Sequence, residues 1–413
     1  MKQLRNALVA AGIVGLSACA AHRQASVPVD NAGIAYRRAL LLCQHQDDET
    51  KSGRVAAIGA CTAVINSKLA KPGEAASARK TRANFYFLEG RYAEAIRDYD
   101  QVVREDPADQ AAWANLGDAQ MHRGKCAAAI TAFNAVLKSA PRRADVLEAR
   151  GDAFMCRKLY ASAIRDFDRA ISIKPERAAL YEKRGDAYKN LGQPGMAQKD
   201  FDAVIQLRPH DSAALAARGD IYLANAQYAL ALQDYDAAIA GGTKTADVYY
   251  GHGVASFQQQ DYPTAIDDFG QAIHLDAKSA KAYNARGDAY LRAGGYDQAL
   301  QDYTQAIALN PKYKDAYYHR GHINSYKGNY GSAINDYSQV IQLDPNSPTA
   351  IMSRADTYME RGQYDLAIQD YKAVISLDPG NKAAAEHMRK AVADNEKQKA
   401  AKSISIEATY PPH

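Results

Sequence analysis

The chain is poor in the features that mark catalysis, and each absence narrows its class. Ten histidines form no HExxH pair, no Ser-His-Asp grammar is present, and no Gly-rich loop could cradle a nucleotide. The stretch Gly241-Gly242-Thr243-Lys244-Thr245 lacks the GK pair and the upstream glycine of a phosphate loop. Five cysteines contain no CxxC and no metal-ligand spacing, so redox catalysis has no support. Lys and Arg total 51 against 47 Asp and Glu, too balanced for a nucleic-acid stripe. The apolar run Ala7 to Leu16 is too short to cross a bilayer as a helix of the folded protein. These absences predict a non-enzyme with no cofactor, no metal, no nucleic-acid partner and no small-molecule substrate.

What is present is one stretch repeated at a step of 34 residues, which places glycine at Gly117, Gly151, Gly185, Gly219, Gly253, Gly287 and Gly321. Twelve residues after each stands an alanine, from Ala129 to Ala333, with Ala95 and Ala367 in the outer copies. Four residues further on every copy carries a ring: Tyr99, Phe133, Phe167, Phe201, Tyr235, Phe269, Tyr303, Tyr337 and Tyr371. Apolar positions recur at helical spacing in two runs broken by a turn such as Ala293-Gly294-Gly295, so each unit reads as a helical hairpin. A proline such as Pro141 or Pro311 closes most copies, because it cannot continue a helix. Hairpins this short cannot bury their apolar faces alone and must stack into a solenoid.

The pattern resembles the tetratricopeptide repeat (TPR) family, whose signature is matched best at Trp113, Leu116, Gly117, Ala129, Phe133 and Pro141. The resemblance implies an all-α, right-handed α-α superhelix of about nine hairpins with N- and C-terminal capping helices. The expected organisation is a signal peptide over 1–18, a flexible tether over 19–31, a helical cap over 32–75, nine repeats over 76–380, a capping helix over 381–402 and a disordered tail over 403–413.

The first residues read as an export signal, with Lys2 and Arg5 before the apolar run. Leu16-Ser17-Ala18-Cys19 resembles a bacterial lipobox, which would make Cys19 the lipid-bearing residue and hold the chain at a membrane. Ordinary cleavage after Ala18-Cys19-Ala20 is the alternative. Ala20, rather than Asp, follows the cysteine; the resemblance therefore favours an outer-membrane lipoprotein facing the periplasm. Setting Cys19 aside leaves four cysteines, which an exported chain is expected to pair. Cys43 with Cys61, and Cys126 with Cys156, is the preferred one of three connectivities; buried free thiols are the alternative.

Two charge ladders recur. Arginine precedes the repeat-glycine position at Arg82, Arg150, Arg184, Arg218, Arg286, Arg320 and Arg354, and aspartate precedes the ring at Asp98, Asp166, Asp200, Asp234, Asp268, Asp302, Asp336 and Asp370. The second copy has lost both, with Leu116 and Ala132, so the two positions are expected to touch as a structural ion-pair ladder.

A further acidic row, including Asp152, Asp186 and Asp220, follows the glycine. In the family this position faces the concave groove, and Asp145, Glu148 and Glu182 would deepen its charge. Copies six and eight break the row with His252-Gly253-Val254 and Arg320-Gly321-His322, and bring Tyr250, Phe257, Tyr318, Asn324 and Tyr326 to the groove; Asn284 and Asp288 lie in the copy between. Two candidate groove sites follow, an acidic one for a basic or amide-rich segment and an aromatic one for an extended or helical peptide. Solvated helix faces and ordinary packing are the structural alternatives. His319 and His322 could share a metal by spacing, but no third ligand is in reach in the sequence.

With no length left for a catalytic domain, the expected function is a lipid-anchored scaffold or adaptor holding a protein segment in its groove. Similar lipoproteins serve envelope or pilus assembly or act as protease adaptors. The alternative is a structural part of an exopolysaccharide or cell-wall assembly or export machine.

Overall fold

The computed structural model describes residues 31–44 and 50–409. The expected export signal, the expected lipobox with Cys19 and most of the expected tether therefore lie outside the described residues. Within them are 21 α-helices and no strand, and no helix is long and apolar enough to cross a membrane.

The chain divides into two compact units. The first holds α1 (Asn31–Gln44), α2 (Lys51–Asn66), α3 (Pro72–Leu88), α4 (Tyr92–Glu105), α5 (Gln110–His122) and α6 (Cys126–Ser139). Here α1 packs on α2 and α3, and copies one and two are the hairpins α3–α4 and α5–α6. Cys43 and Cys61 are disulfide-bonded in a small core with Val64 and Ala78. Cys126 and Cys156 are disulfide-bonded cysteines as well.

The second unit runs through copy three (α7, Ala144–Cys156; α8, Tyr160–Ile173), copy four (α9, Ala178–Asn190; α10, Pro194–Leu207) and copy five (α11, Ser212–Ala224; α12, Tyr228–Ala240). Copy six follows (α13, Ala246–Gln258; α14, Tyr262–Leu275), then copy seven (α15, Ala280–Arg292; α16, Tyr296–Leu309) and copy eight (α17, Lys314–Tyr326; α18, Tyr330–Leu343). Copy nine (α19, Pro348–Glu360; α20, Tyr364–Leu377) is covered by α21 (Lys382–Thr409). Within each unit every helix packs on its neighbours in sequence, and first helices also touch the next first helix at α3–α5, α7–α9, α11–α13, α13–α15, α15–α17 and α17–α19, as a TPR solenoid requires. The sequence pattern ends the capping helix at 402, whereas α21 continues to Thr409. The first residue that stops a helix is Pro411.

The repeat residues explain the hairpin. A Cβ placed on Gly287 would stand 2.8 Å from Cε1 of Tyr303, so glycine lets the ring lie this close between the two helices. Tyr303 is fully buried beside Ala299, Ala306 and Ile323. The turn closes with Gly294 in the left-handed region at φ 82°, and the Gly295 N–H returns to the Tyr290 carbonyl at 2.8 Å. Copies three, five and six place Lys158, Ala226 and Gln260 in that same conformation without glycine's freedom.

Where the charge ladder is present, each rung is a fork. Arg184 donates from Nε and Nη2 to Asp200 at 2.9 and 2.6 Å, and from Nη1 back to Asp168 of the preceding copy at 2.5 Å. Arg218 repeats this with Asp234 at 2.7 and 2.8 Å and Asp202 at 2.7 Å. Arg320 and Arg354 keep the fork to Asp336 and Asp370 but reach back to Thr304 and Ser338 hydroxyls. These four guanidinium groups thus bind their own hairpin and the one before it, with the forked aspartate buried.

Candidate functional site

The first helices of copies six to eight surround a concavity of about 640 Å³, lined by Phe257, Asp288, Leu291, Arg292, Tyr318, His319 and His322. Four residues expected at the aromatic groove site, Phe257, Asp288, Tyr318 and His322, therefore meet around one space. Tyr250 packs with Phe257 on α13, half-buried, with Lys281 Nζ 4.5 Å above its ring. Burial raises the Tyr250 phenol pKa, while Lys281 pulls it down. His322 is exposed and free to meet a ligand from solvent.

Asp288 is the fixed point of this wall. Its carboxylate accepts from Tyr303 Oη at 2.7 Å and Asn284 Nδ2 at 3.0 Å, and meets His319 Nδ1 at 2.6 Å. The Tyr318 ring lies edge-on to His319 at 5.8 Å and tilted against Tyr337 at 5.8 Å. Phe257 and Tyr318 line the space, with Tyr318 braced by His319 and Tyr337; braced aromatic side chains are the usual anchors of interfaces. Asn284 corrects the expectation that it is presented to a partner. It is 6% exposed, turned into the helix packing, and its Oδ1 is buried without a partner in the protein. His319 spends Nδ1 on Asp288, and the described residues contain no group of three His, Cys, Asp or Glu fit for a metal.

The acidic row of copies three to five behaves differently. Lys183 Nζ lies 2.6 Å from Asp152 and 2.8 Å from Glu148, which Arg177 also reaches at 2.9 Å. Asp145 pairs with Arg143, and Glu182 with Arg208. Asp220 accepts from Tyr235 Oη at 2.8 Å and has Lys189 at 3.7 Å. Asp186 is exposed; crowding around its carboxyl raises its pKa, opposed by Lys189. Burial raises the Asp152 pKa as well, against the pull of Lys183. The line that reads as uncompensated acid in sequence is thus largely neutralised by bases of the same or a neighbouring copy.

Sequence reasoning missed His319, Leu291 and Arg292 as wall residues, and it missed the bond from ring hydroxyl to acid. Tyr99 donates to Asn84 at 2.6 Å, and Tyr371 to Asp356 at 2.6 Å, as Tyr303 does to Asp288. The available signal was a tyrosine rather than phenylalanine fifteen residues after a polar side chain.

Models of tetratricopeptide repeats match the chain over residues 86–152, 182–244, 253–294, 287–325, 315–347 and 348–381. The chain belongs to the tetratricopeptide repeat family. TPR repeats mark a scaffold that binds other proteins. Solved structures similar to the chain include the C-terminal part of a TPR protein from Cytophaga hutchinsonii, at 24% identity and TM-score 0.49 over 58% of this chain and 98% of that one. YrrB, described as a TPR protein with an unusual peptide-binding site, aligns at 22% identity and TM-score 0.42 over 45% of this chain and 95% of its own. Pseudomonas aeruginosa pilF aligns at 17% identity and TM-score 0.43 over 54% and 97%. No curated protein sequence matches the chain significantly.

Proposed function

We propose that this TPR chain is a non-catalytic adaptor, anchored through lipid on Cys19 at the periplasmic face of the outer membrane, that holds a segment of a partner protein against copies six to eight. The observation that carries the binding site is the ring-lined concavity at Phe257, Tyr318 and His322, set against an acidic row in which Glu148 and Asp152 are answered by Lys183. A segment with an apolar or aromatic anchor suits the rings, and Arg292 and His322 offer donors to its backbone or acidic groups. Envelope or pilus assembly and protease adaptation are the roles such an adaptor would serve.

The test is crosslinking in isolated envelopes with wild type and a Tyr250→Ala, Tyr318→Ala, His322→Ala variant whose helicity is checked by circular dichroism. A crosslinked protein lost from the variant supports the site, and one retained by both moves binding elsewhere. Cys19→Ala should release the chain from membranes; a variant that still sediments with them would remove the lipid anchor from the proposal.

A further inference from the structure

The concavity at copies six to eight has a cation to spare, because its only acid is already spent. Asp288 accepts from Tyr303 Oη at 2.7 Å and Asn284 Nδ2 at 3.0 Å and meets His319 Nδ1 at 2.6 Å. Arg292, the last residue of α15, is exposed on the same wall and pairs with no acid among the described residues. On the same helix Arg286 forks to Asp302 at 2.8 Å through both Nε and Nη2, so the contrast lies between a structural guanidinium and one left over. His322 is exposed beside it and likewise unpartnered.

The same support recurs two copies further along the chain, where it serves as an internal control. Tyr371 Oη donates to Asp356 at 2.6 Å and His387 Nδ1 meets that carboxylate at 2.8 Å, beside a recess of about 170 Å³ lined by Met359, Glu360 and Lys390. In this second position Glu360 stands where copy seven has Arg292, and Ser325 and Glu386 stand where copies six and eight have Phe257 and Tyr318. The bonds from Tyr and His to Asp therefore belong to the scaffold. What sets copies six to eight apart is the rings together with an unanswered arginine.

We infer that the segment held in this concavity carries a carboxylate beside its apolar or aromatic anchor, the anchor lying against Phe257 and Tyr318 and the carboxylate pairing with Arg292 and His322. This deepens the groove reading above and rests on it. A segment laid over the wall takes water from Arg292, and an uncharged one would leave that guanidinium covered without a partner. A carboxylate removes the penalty and matches the planar donor fork. A basic segment would meet Arg292 with like charge, and Asp288 has no free role in answering it.

The test titrates phenylacetate and phenylacetamide, equal in shape and different in charge, into the full chain labelled with ¹⁵N-histidine. The His322 signal is identified by its loss in His322→Gln, and exposed His210, between α10 and α11, is the control. Phenylacetate should move the His322 signal saturably with a Kd of about 5–10 mM, as suits so small a probe, and phenylacetamide should bind about ten-fold more weakly. Arg292→Gln should remove most of that preference; Arg292 lies on the surface, and circular dichroism checks that the helices persist. Equal binding of the two probes, an equal shift at His210, or no saturable shift with either probe overturns the requirement for a carboxylate. A crosslink lost from the Tyr250, Tyr318 and His322 variant alongside equal probe binding separates the two claims, since the groove then stands and the acidic requirement falls. A crosslinked segment that mass spectrometry maps to a stretch without Asp, Glu or a chain terminus overturns it as well. Galacturonate that binds where phenylacetate does not would assign the site to an acidic glycan and overturn both.

Discussion

Arg218 in copy five and His252 in copy six occupy the same place in their hairpins, and each stands between two carboxylates. Arg218 forks to Asp234 and reaches back to Asp202; His252 holds Asp268 at 2.6 Å through Nδ1 and Asp236 at 3.2 Å through Nε2. The slot therefore asks for a cation with donors on two opposed sides, and an imidazole meets that demand only when both nitrogens carry protons. Burial pulls the His252 pKa down, but the bonds and charges of Asp268 and Asp236 outweigh it and raise the value overall. Tyr235 of α12 sets its ring edge toward the same imidazole at 6.4 Å. Copy five thus has a permanent link in the ladder and copy six a titratable one.

The largest effect should come from breaking the permanent link. Arg218→Ala leaves Asp234 buried without its fork and is expected to destabilise α10 to α12 by about 3–5 kcal/mol, read as faster amide exchange in those helices. Amide exchange is the suitable probe because a repeat array need not unfold as one unit. Exchange no faster than wild type would mean that the ladder is dispensable.

A double-mutant cycle on Arg184 and Asp200 should give a coupling of about 0.5–3 kcal/mol. Strict additivity would contradict the bidentate contact seen between them.

The titratable link predicts a pH dependence with a definite sign. Because the folded pKa of His252 is raised, its contribution is full below about pH 6.5, the unfolded value, and is lost as pH rises through the higher folded value. Protection of α13 and α14 should therefore decline as pH rises beyond that unfolded value, and His252→Arg should flatten that slope. An unchanged slope in His252→Arg would assign the pH response to other groups.

The smallest effect concerns the turns of the same two copies. Ala226 and Gln260 sit at φ 56° and 64°, where other copies use glycine. Ala226→Gly should stabilise copy five by up to about 1 kcal/mol, measured as a shift in urea midpoint; destabilisation would show that the left-handed conformation carries little strain there.

Much of the architecture was legible because it is written in short-range, repeated terms. The 34-residue step, the glycine under seven of the rings and the joint loss of Arg and Asp where copy two has Leu116 and Ala132 announced the hairpins and the ladder between Arg and Asp sixteen residues apart. The candidate site was legible only in part. Phe257, Tyr318 and His322 stood out as departures from the repeat, but Asn284 was expected on the surface and proved buried. The acidic row misled because the bases that answer it, Lys183 for Asp152 and Arg208 for Glu182, lie 31 and 26 residues away.

The sequence alone determined the helical hairpin, its repetition and the pairing within a copy, since these depend on residues a few turns apart under one recurring geometry. Only the tertiary structure decided which polar groups are consumed and which remain available. That depends on contacts between copies, where Tyr303 and His319 converge on Asp288 from two different hairpins, and on how stacking leaves one space open beside Phe257 and Tyr318. A local pattern cannot specify such meetings, because they are set by the rotation of each hairpin against the next.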